Sequence, residues 1–189
     1  IDKIKFYLQS LDFKLANINE FKEDDIFKKT LVEMDKLDQI MHDFHKFFNN
    51  QKNKENVNLK VSLDNALFLL KDELNSLDID LNVTGDNLLS LNIVFDEIKH
   101  IFSKLIAKSI ENFKLNEFAE KKEININFEN KDESIYIIYS DNATTSNKNQ
   151  NEDFYLGFYL VKVFVEKNFG LLNVEKTHDG IKYIIRFDK

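Results

Sequence analysis

Apolar residues near the start of the chain recur at alternating steps of three and four positions. One stripe runs through Ile1, Ile4, Leu8, Leu11, Leu15 and Ile18, and a second runs through Phe27, Met34, Leu37, Met41, Phe44 and Phe48. This spacing puts each set on one face of a helix. The polar residues 19–20 and 22–25 between the stripes predict a short turn, with Asp24 or Asp25 as a helix cap. The pattern therefore predicts an antiparallel helical hairpin over residues 1–50.

The two apolar stripes of this hairpin are too narrow to be buried within one chain. A second copy would cover them, so we expect a homodimer through residues 1–50, built as a four-helix bundle. Residues 51–56 are polar and show no periodicity, which indicates a linker. Residues 57–189 then form a second predicted domain.

Beyond the linker, helical and strand periodicities alternate. They predict strands over 57–61, 78–84, 123–129, 134–140, 171–175 and 181–187, a short extended piece over 88–91, and helices over 63–77, 95–113 and 154–168. Ser62 is the expected cap of the first of these helices, and Gly170 is the expected left-handed residue after the last. The order predicts a mixed sheet with three helices on one face. The fold class of the whole chain is thus α + α/β, a helical hairpin followed by an α/β two-layer sandwich.

The amino-acid composition disfavours or excludes several classes of function. The 189 residues carry a net charge of −7 with acidic and basic residues interleaved, which disfavours nucleic-acid binding because phosphates attract a concentrated basic face. Cysteine is absent, which excludes disulfides and thiolate metal sites. No apolar run is long enough to span a bilayer. Because residue 1 is not Met, we expect a piece of a longer protein, with any membrane-spanning part upstream.

The candidate chemistry lies in residues 140–162, SDNATTSNKNQNEDFYLGFYLVK. A strand ends in Asp141 and Asn142, a polar loop follows, and a helix opens near Gly157. Residues 104–110, KLIAKSI, form part of the preceding long helix. A strand end, a loop and a helix start in this order can form a ligand pocket.

The hairpin, the sandwich and these motifs together resemble the core of two-component sensor histidine kinases. Residues 104–110 lie where that family has its N box, roughly Asn-Leu-x-x-Asn-Ala. Residues 139–143, YSDNA, lie at the first glycine box, Asp-Asn-Gly-x-Gly, and residues 156–162, LGFYLVK, follow the second. Residues 34–48 resemble the end of the second dimerisation helix. The resemblance implies a dimerisation hairpin followed by a histidine-kinase-type ATPase domain.

By that resemblance, Asp141, Asn142, Gly157 and Lys108 are remnants of a nucleotide pocket. In the family, the carboxylate at Asp141 accepts from the adenine amino group, and an asparagine at the place of Lys108 ligates Mg²⁺. An ammonium group has only donors and cannot ligate a cation, although it could attract a phosphate. Ala143 replaces a glycine, and the loop to Gly157 is shorter than the family's lid. These departures imply that neither Mg²⁺ nor ATP or ADP is a cofactor. Both residues also have interpretations that involve no ligand. Asp141 can simply start a turn, and Lys108 can simply be a solvated residue on the surface of its helix.

The phosphoacceptor histidine of the family lies on the first helix, and alignment of the heptads puts its box upstream of Ile1. His42 and His45 are interpreted as surface residues of the second helix. The favoured function is the cytoplasmic signalling core of a two-component sensor that is degenerate as a kinase, docks the receiver domain of a response regulator and acts as its phosphatase. The alternatives are an active sensor histidine kinase with a divergent ATP pocket, a dimeric phosphotransfer or scaffold protein without nucleotide binding, and a generic helical-hairpin interaction module.

Overall fold

The computed structural model describes residues 53–115, 121–143, 157–177 and 180–188, together with positions 30, 32, 34 and 35. The chain divides into two compact units, residues 1–51 and residues 52–189. In the first unit, the four described positions are helical. The remainder of the predicted hairpin, including its turn, His42 and His45, lies outside the described residues, so the hairpin and the four-helix bundle stay predictions.

Ten elements make up the described part of the second unit. In chain order they are β1 (Glu55–Asn58), α1 (Leu59–Ser76), β2 (Ile79–Gly85), β3 (Ser90–Ile93), α2 (Phe95–Leu115), β4 (Lys122–Lys131), β5 (Ser134–Asp141), α3 (Gly157–Lys167), β6 (Gly170–Lys176) and β7 (Ile181–Asp188). This is the predicted order of helices and strands. No helix among the described residues is both long and apolar enough to cross a membrane.

The main sheet has five strands in the order β2-β4-β5-β7-β6. Strand β2 runs parallel to β4, and the other neighbours are antiparallel, so the sheet is mixed, as predicted. Strands β1 and β3 do not join it but pair with each other, with Glu55 opposite Ile93. The sequence predicted a single sheet, and the separate two-stranded sheet is a finding of the structure.

Strict alternation along the central strands directs one side of the sheet into the core. The buried positions are Ile124, Ile126 and Phe128 on β4, Ile135, Ile137 and Tyr139 on β5, and Tyr183, Ile185 and Phe187 on β7. Helix α2 covers them with the predicted stripe of Ile98, Ile101, Phe102, Leu105 and Ile110, and it packs between α1 and α3. The predicted two-layer sandwich is therefore confirmed. The packing of α2 on β5 brings a helix face against the end of that strand.

The start of α1 differs from the prediction. The chain leaves β1 at Asn58, whose side-chain oxygen accepts from the Val61 amide at 2.9 Å, so Asn58 is the cap and the helix begins at Leu59. Ser62, the predicted cap, is fully buried inside the helix. Both residue types can cap a helix, and pairing with β3 ends at Asn58.

The junction of α3 and β6 also differs. The left-handed residue is Phe169, with φ of 58°, and Gly170 is already the first residue of β6. A Cβ at Gly170 would lie 2.8 Å from the ring of Phe187. Glycine is needed there because a neighbouring ring approaches closely, and not because of its backbone conformation.

Candidate functional site

Two of the four residues predicted from the sequence lie at the end of β5, and the other two lie on helices α2 and α3. Asp141 is the last residue of that strand and Asn142 follows it, while Lys108 lies in the second half of α2 and Gly157 opens α3. The positive charge of Lys108 acts on the Asp141 carboxylate. Lys108 on α2 is thus near enough to β5 for its charge to favour the ionised form of Asp141.

Asp141 is buried, with 6% of its surface exposed, although aspartate ordinarily stays in water. Alternation along β5 directs it, like Tyr139, towards the helix layer. Its Oδ2 accepts a hydrogen bond from the Ser109 hydroxyl on α2. Its Oδ1 accepts from the Ala143 amide at 3.2 Å, and the Ile181 amide is a further donor. Groups of the protein itself therefore surround the carboxylate.

Ser109 and Tyr139 extend this site into the core, where both are fully buried. The Ser109 Oγ is 2.7 Å from the Tyr139 hydroxyl, and that hydroxyl donates to the Leu105 carbonyl oxygen at 3.2 Å. Each hydroxyl has a single hydrogen. With Asp141 ionised, the hydrogens can point from Tyr139 to Ser109 and from Ser109 to Asp141. With Asp141 protonated, they can point the opposite way and end on Leu105, so this chain of hydroxyls suits either state of the carboxyl group.

Burial sets the acid–base properties of the site. It raises the pKa of Asp141 above its ordinary value, because the charged form loses its hydration, and the Ser109 hydroxyl, the two backbone amides and Lys108 only partly oppose this rise. Burial likewise raises the pKa of Tyr139 well above its ordinary value. The pKa of Tyr183 is raised by burial and by the negative charge of Asp141. Both tyrosines therefore stay protonated and can act as hydrogen-bond donors.

Lys108 lies at the rim of the site, with 28% of its side chain exposed, and its Nζ donates to Glu111 at 3.0 Å within the same helix. An ammonium group has no lone pair to offer a cation. Lys108 acts on the Asp141 carboxylate only through its charge. Lys108 can therefore attract an anion or stabilise ionised Asp141, but it cannot complete a magnesium site.

Asn142 makes hydrogen bonds that hold two neighbouring strands of the sheet together. Its side-chain oxygen accepts from the Glu123 amide at 2.7 Å, its side-chain nitrogen donates to the Lys121 carbonyl at 2.9 Å, and its own amide donates to the Glu123 carbonyl at 3.2 Å. These three bonds fasten the end of β5 to the start of β4. Both polar ends of the Asn142 side chain are thus occupied by backbone groups, one in β4 and one directly before it.

Gly157 lies at the N-terminus of α3, next to a row of aromatic rings. The ring of Phe158 stands 5.2 Å from that of Tyr183, and Tyr183 stands 5.9 Å from Tyr139, to which it is opposite in the sheet. Phe158, Tyr183 and Tyr139 therefore connect the start of α3 to the hydroxyl chain on Asp141. Glu152 and Asp153, which precede α3 in the sequence, lie outside the described residues.

Sequence reasoning missed Ser109, Tyr139, Tyr183 and Gly180 as members of the site. A Cβ at Gly180 would lie 2.0 Å from the Asp141 carbonyl oxygen, so glycine there lets β7 approach the end of β5. Tyr139 could have been found, because it stands two residues before Asp141 and shares its face of the strand. Ser109 gives no comparable signal, since its contact with Asp141 spans 32 residues and depends on how α2 packs.

Two features of the described residues bear on whether this site could hold a magnesium nucleotide. The position that would ligate the metal holds an ammonium group, and the carboxylate that would accept from a base already accepts from Ser109 and from backbone amides. One observation points the other way. Asn112, one turn beyond Ser109 on the same face of α2, is 4% exposed, and its Nδ2 has no hydrogen-bond partner in the described structure. A donor in this state is one that a ligand could satisfy.

No protein-family model and no curated protein matches the sequence. Solved structures match at low sequence identity. The catalytic domain of histidine kinase ThkA matches with a TM-score of 0.62 and 16% identity, over 73% of this chain and 97% of that chain. Histidine kinase AdeS from Acinetobacter baumannii matches with a TM-score of 0.66 and 14% identity, over 97% of this chain and 93% of that chain.

A further match is histidine kinase ThkA in complex with the response regulator protein TrrA, with a TM-score of 0.65 and 15% identity, over 96% of this chain and 56% of that chain. These likenesses establish the fold. The sandwich of residues 52–189 is that of histidine kinase catalytic domains, so the resemblance predicted from the motifs is confirmed for the ATPase-like region.

Proposed function

We propose that this chain is the cytoplasmic signalling core of a two-component sensor that is degenerate as a kinase, docks the receiver domain of a response regulator and acts as its phosphatase. The observation that carries the proposal is the state of Asp141, whose carboxylate is buried and accepts from Ser109 and from the Ala143 amide. A carboxylate engaged in this way is a poor acceptor for a ligand, because the ligand must first displace a charge-assisted hydrogen bond.

Two further residues support the loss of kinase activity. Lys108 stands in the place of a magnesium ligand and pairs with Glu111. Ala143 is fully buried, and its amide is used by Asp141, whereas a glycine there would let the backbone approach a bound nucleotide. Kinase chemistry relies on metal ions that neutralise the developing phosphate charge, and this arrangement does not provide for them.

The regulator partner is proposed from the fold and from the predicted hairpin. One structure with this fold is a histidine kinase in complex with a response regulator protein. In our proposal, residues 1–50 form the dimerisation hairpin, residues 51–56 the linker and residues 57–189 the ATPase-like domain. Two hairpins would form a four-helix bundle whose exposed sides receive the receiver domain.

The proposal is tested by following phosphate on a receiver domain. Candidate receiver domains, phosphorylated chemically with acetyl phosphate and freed of it, are mixed with the full chain, and loss of phosphate is followed on phosphate-affinity gels. We expect dephosphorylation to be faster with the chain than without it, and to need no ATP. Asp141→Asn is the matched variant and should act like the wild type, because the proposed activity makes no use of the pocket. An unchanged decay for every receiver domain would refute the phosphatase assignment.

The unpartnered amide of Asn112 favours one alternative, an active kinase with a divergent pocket. Incubation of the chain with radiolabelled Mg-ATP separates the two functions. Our proposal predicts no label on the chain or on the receiver domain, whereas transfer of label to either would establish the alternative. A chain that neither carries label nor accelerates dephosphorylation, but still binds the receiver domain, would be a scaffold.

A further inference from the structure

Strand β6 is one edge of the main sheet, and its outer side is open. Its backbone pairs with β7, and no other strand among the described residues pairs with it. An open edge presents N–H and C=O groups with which a further strand can pair. Proteins ordinarily protect such an edge with charged residues, yet residues 170–174, GLLNV, carry no charge. The first five residues of β6 therefore form an unprotected edge.

The opposite edge of the sheet, strand β2, is built differently. Its exposed side chains include Asp80, Asn82 and Thr84, and its apolar side chains are half-buried. Asn82 and Thr84 each form a side-chain hydrogen bond of 3.1 Å, to Asn125 and Asn127 of β4. This edge presents polar groups that already have partners within the sheet, so it offers a further strand no exposed apolar surface.

Two large apolar side chains lie exposed at the start of β6. Leu171 is 58% exposed, and Phe169, directly before the strand, is 83% exposed. Phe169 also has a left-handed backbone, with φ of 58°, which a bulky residue adopts only at a cost in free energy. The Lys54 ammonium lies 5.6 Å from the centre of its ring, and most of the ring stays in water. Neither burial nor backbone preference favours a phenylalanine at this position, whereas a partner on the β6 edge would cover it.

The sequence of β6 is complementary to a second copy of itself. An antiparallel pair can be centred on Asn173, which then lies opposite Asn173 of the second copy, so that the two amides can hydrogen-bond. Leu172 lies opposite Val174 on the helix side of the sheet, where both are only half-buried in one chain. On the open side, Leu171 lies opposite Glu175, so no like charges face each other. This register therefore buries apolar surface and repels nowhere.

We propose that a second copy of this chain adds its β6 to the β6 edge, in an antiparallel pair with Asn173 on the two-fold axis, so that two five-stranded sheets become continuous. A pair of seven-residue strands is a small interface, so the association should be weak and should rise with protein concentration. The inference goes beyond the proposed function and does not depend on it. If residues 1–50 also join two copies, as proposed above, the two interfaces together would link dimers into an open series.

Cysteine cross-linking tests the pairing, because the chain has no cysteine of its own. Residues directly opposite each other in an antiparallel pair have Cα atoms about 4.5–5.5 Å apart, a separation that a disulfide spans. The full chain carrying Asn173→Cys should therefore form a disulfide-linked dimer under mild oxidation. Asn82→Cys, an exposed asparagine on the other edge strand, is the matched control and should not cross-link. The double variant Leu171→Cys, Glu175→Cys should cross-link, whereas neither single variant should.

A charge on the two-fold axis gives a second, independent measurement. Asn173→Lys places two cations opposite each other and should weaken self-association roughly fivefold, followed by sedimentation velocity over a series of concentrations. Asn173→Asp should weaken it in the same way with two anions. An equal mixture of these two variants should regain the association, because opposite charges then face each other. Asn82→Lys should leave it unchanged.

The comparison between variants isolates the β6 contact, since a dimer formed through residues 1–50 would be common to all of them. Equal cross-linking of Asn173→Cys and Asn82→Cys would overturn the proposal, because it would show random collision. Coincident sedimentation profiles of the wild type and Asn173→Lys would overturn it as well, with circular dichroism showing that both are folded. Failure of the Leu171→Cys, Glu175→Cys variant to cross-link would refute the antiparallel register. None of these results bears on the phosphatase or Mg-ATP assays.

Discussion

Replacement of Asp141 by asparagine should keep or raise the stability of the protein at neutral pH. Asparagine has the same shape, its oxygen can still accept from the Ala143 amide, and its nitrogen can donate to the Ser109 oxygen. Ser109 can then turn its hydrogen to Tyr139, and Tyr139 can donate to the Leu105 carbonyl. The Ala143 amide and the Ser109 and Tyr139 hydroxyls thus keep partners, and no charge is buried.

The pH dependence of stability follows from the raised pKa of Asp141. The folded protein holds this proton more tightly than the unfolded chain does, so the stabilisation from protonation is present at low pH and is lost as the pH rises through the folded-state pKa. In the wild type, this group should therefore lower the free energy of unfolding as the pH rises above its ordinary value of 3.8. Asp141→Asn should lack this part of the slope.

The variant Asp141→Ala shows how much stability is lost when the acceptor at this position is removed. It removes the acceptor for the amides of Ala143 and Ile181, and a buried donor left without a partner costs about 1–3 kcal/mol, so the variant should lose about 2–6 kcal/mol. Urea unfolding of the full chain between about pH 4 and about pH 8, followed by tyrosine fluorescence, measures all three proteins. All but one of the six tyrosines lie after residue 52. If Asp141→Asn were as unstable as Asp141→Ala at neutral pH, the charge itself would be stabilising and our account of the site would be wrong.

Three further substitutions test the packing around the site by the same unfolding measurement. Gly180→Ala places a Cβ 2.0 Å from the carbonyl oxygen at the end of β5 and should cost at least about 2 kcal/mol; an unchanged stability would mean that β7 can move away freely. Lys167→Met leaves the buried Glu97 without its cation at 2.5 Å and should cost about 1–3 kcal/mol, whereas Lys162→Met, in an exposed pair, should change little. Phe169→Asn should stabilise by up to about 1 kcal/mol, because asparagine tolerates the left-handed backbone with φ of 58° better than phenylalanine; a loss would show that the exposed ring makes a stabilising contact.

The fold could be predicted wherever a local pattern carries the information. Strands β4 and β5 alternate so regularly that their buried faces, including Ile126 and Ile137, follow from the sequence. The apolar stripe of α2 is equally clear. Asn58 and Ser62 show the limit of such reasoning. Both can cap a helix, and the choice between them depends on pairing of β1 with a strand 32 or more positions later in the chain.

The candidate site was only half predictable, for a related reason. Asp141 and Lys108 could be located because they fall on short motifs, and in the structure the charge of Lys108 on α2 acts on Asp141 at the end of β5. Ser109 follows Lys108 directly, yet its role appears only when α2 is packed on the sheet and its hydroxyl reaches Asp141. Gly170 is the opposite case. The sequence indicates that a glycine is needed there, but the reason is the nearby Phe187 ring and not a left-handed backbone. Contacts between distant segments, and not local preferences, decided both cases.

The most direct test of the central claim is a calorimetric titration of the full wild-type chain with ATP, in the presence and in the absence of Mg²⁺. If Ser109 and the backbone amides hold Asp141 and an ammonium group stands where a metal ligand is needed, no saturable heat should appear in either titration. A saturable signal that depends on Mg²⁺ would contradict the account, because it would show that the pocket still assembles a metal–nucleotide complex.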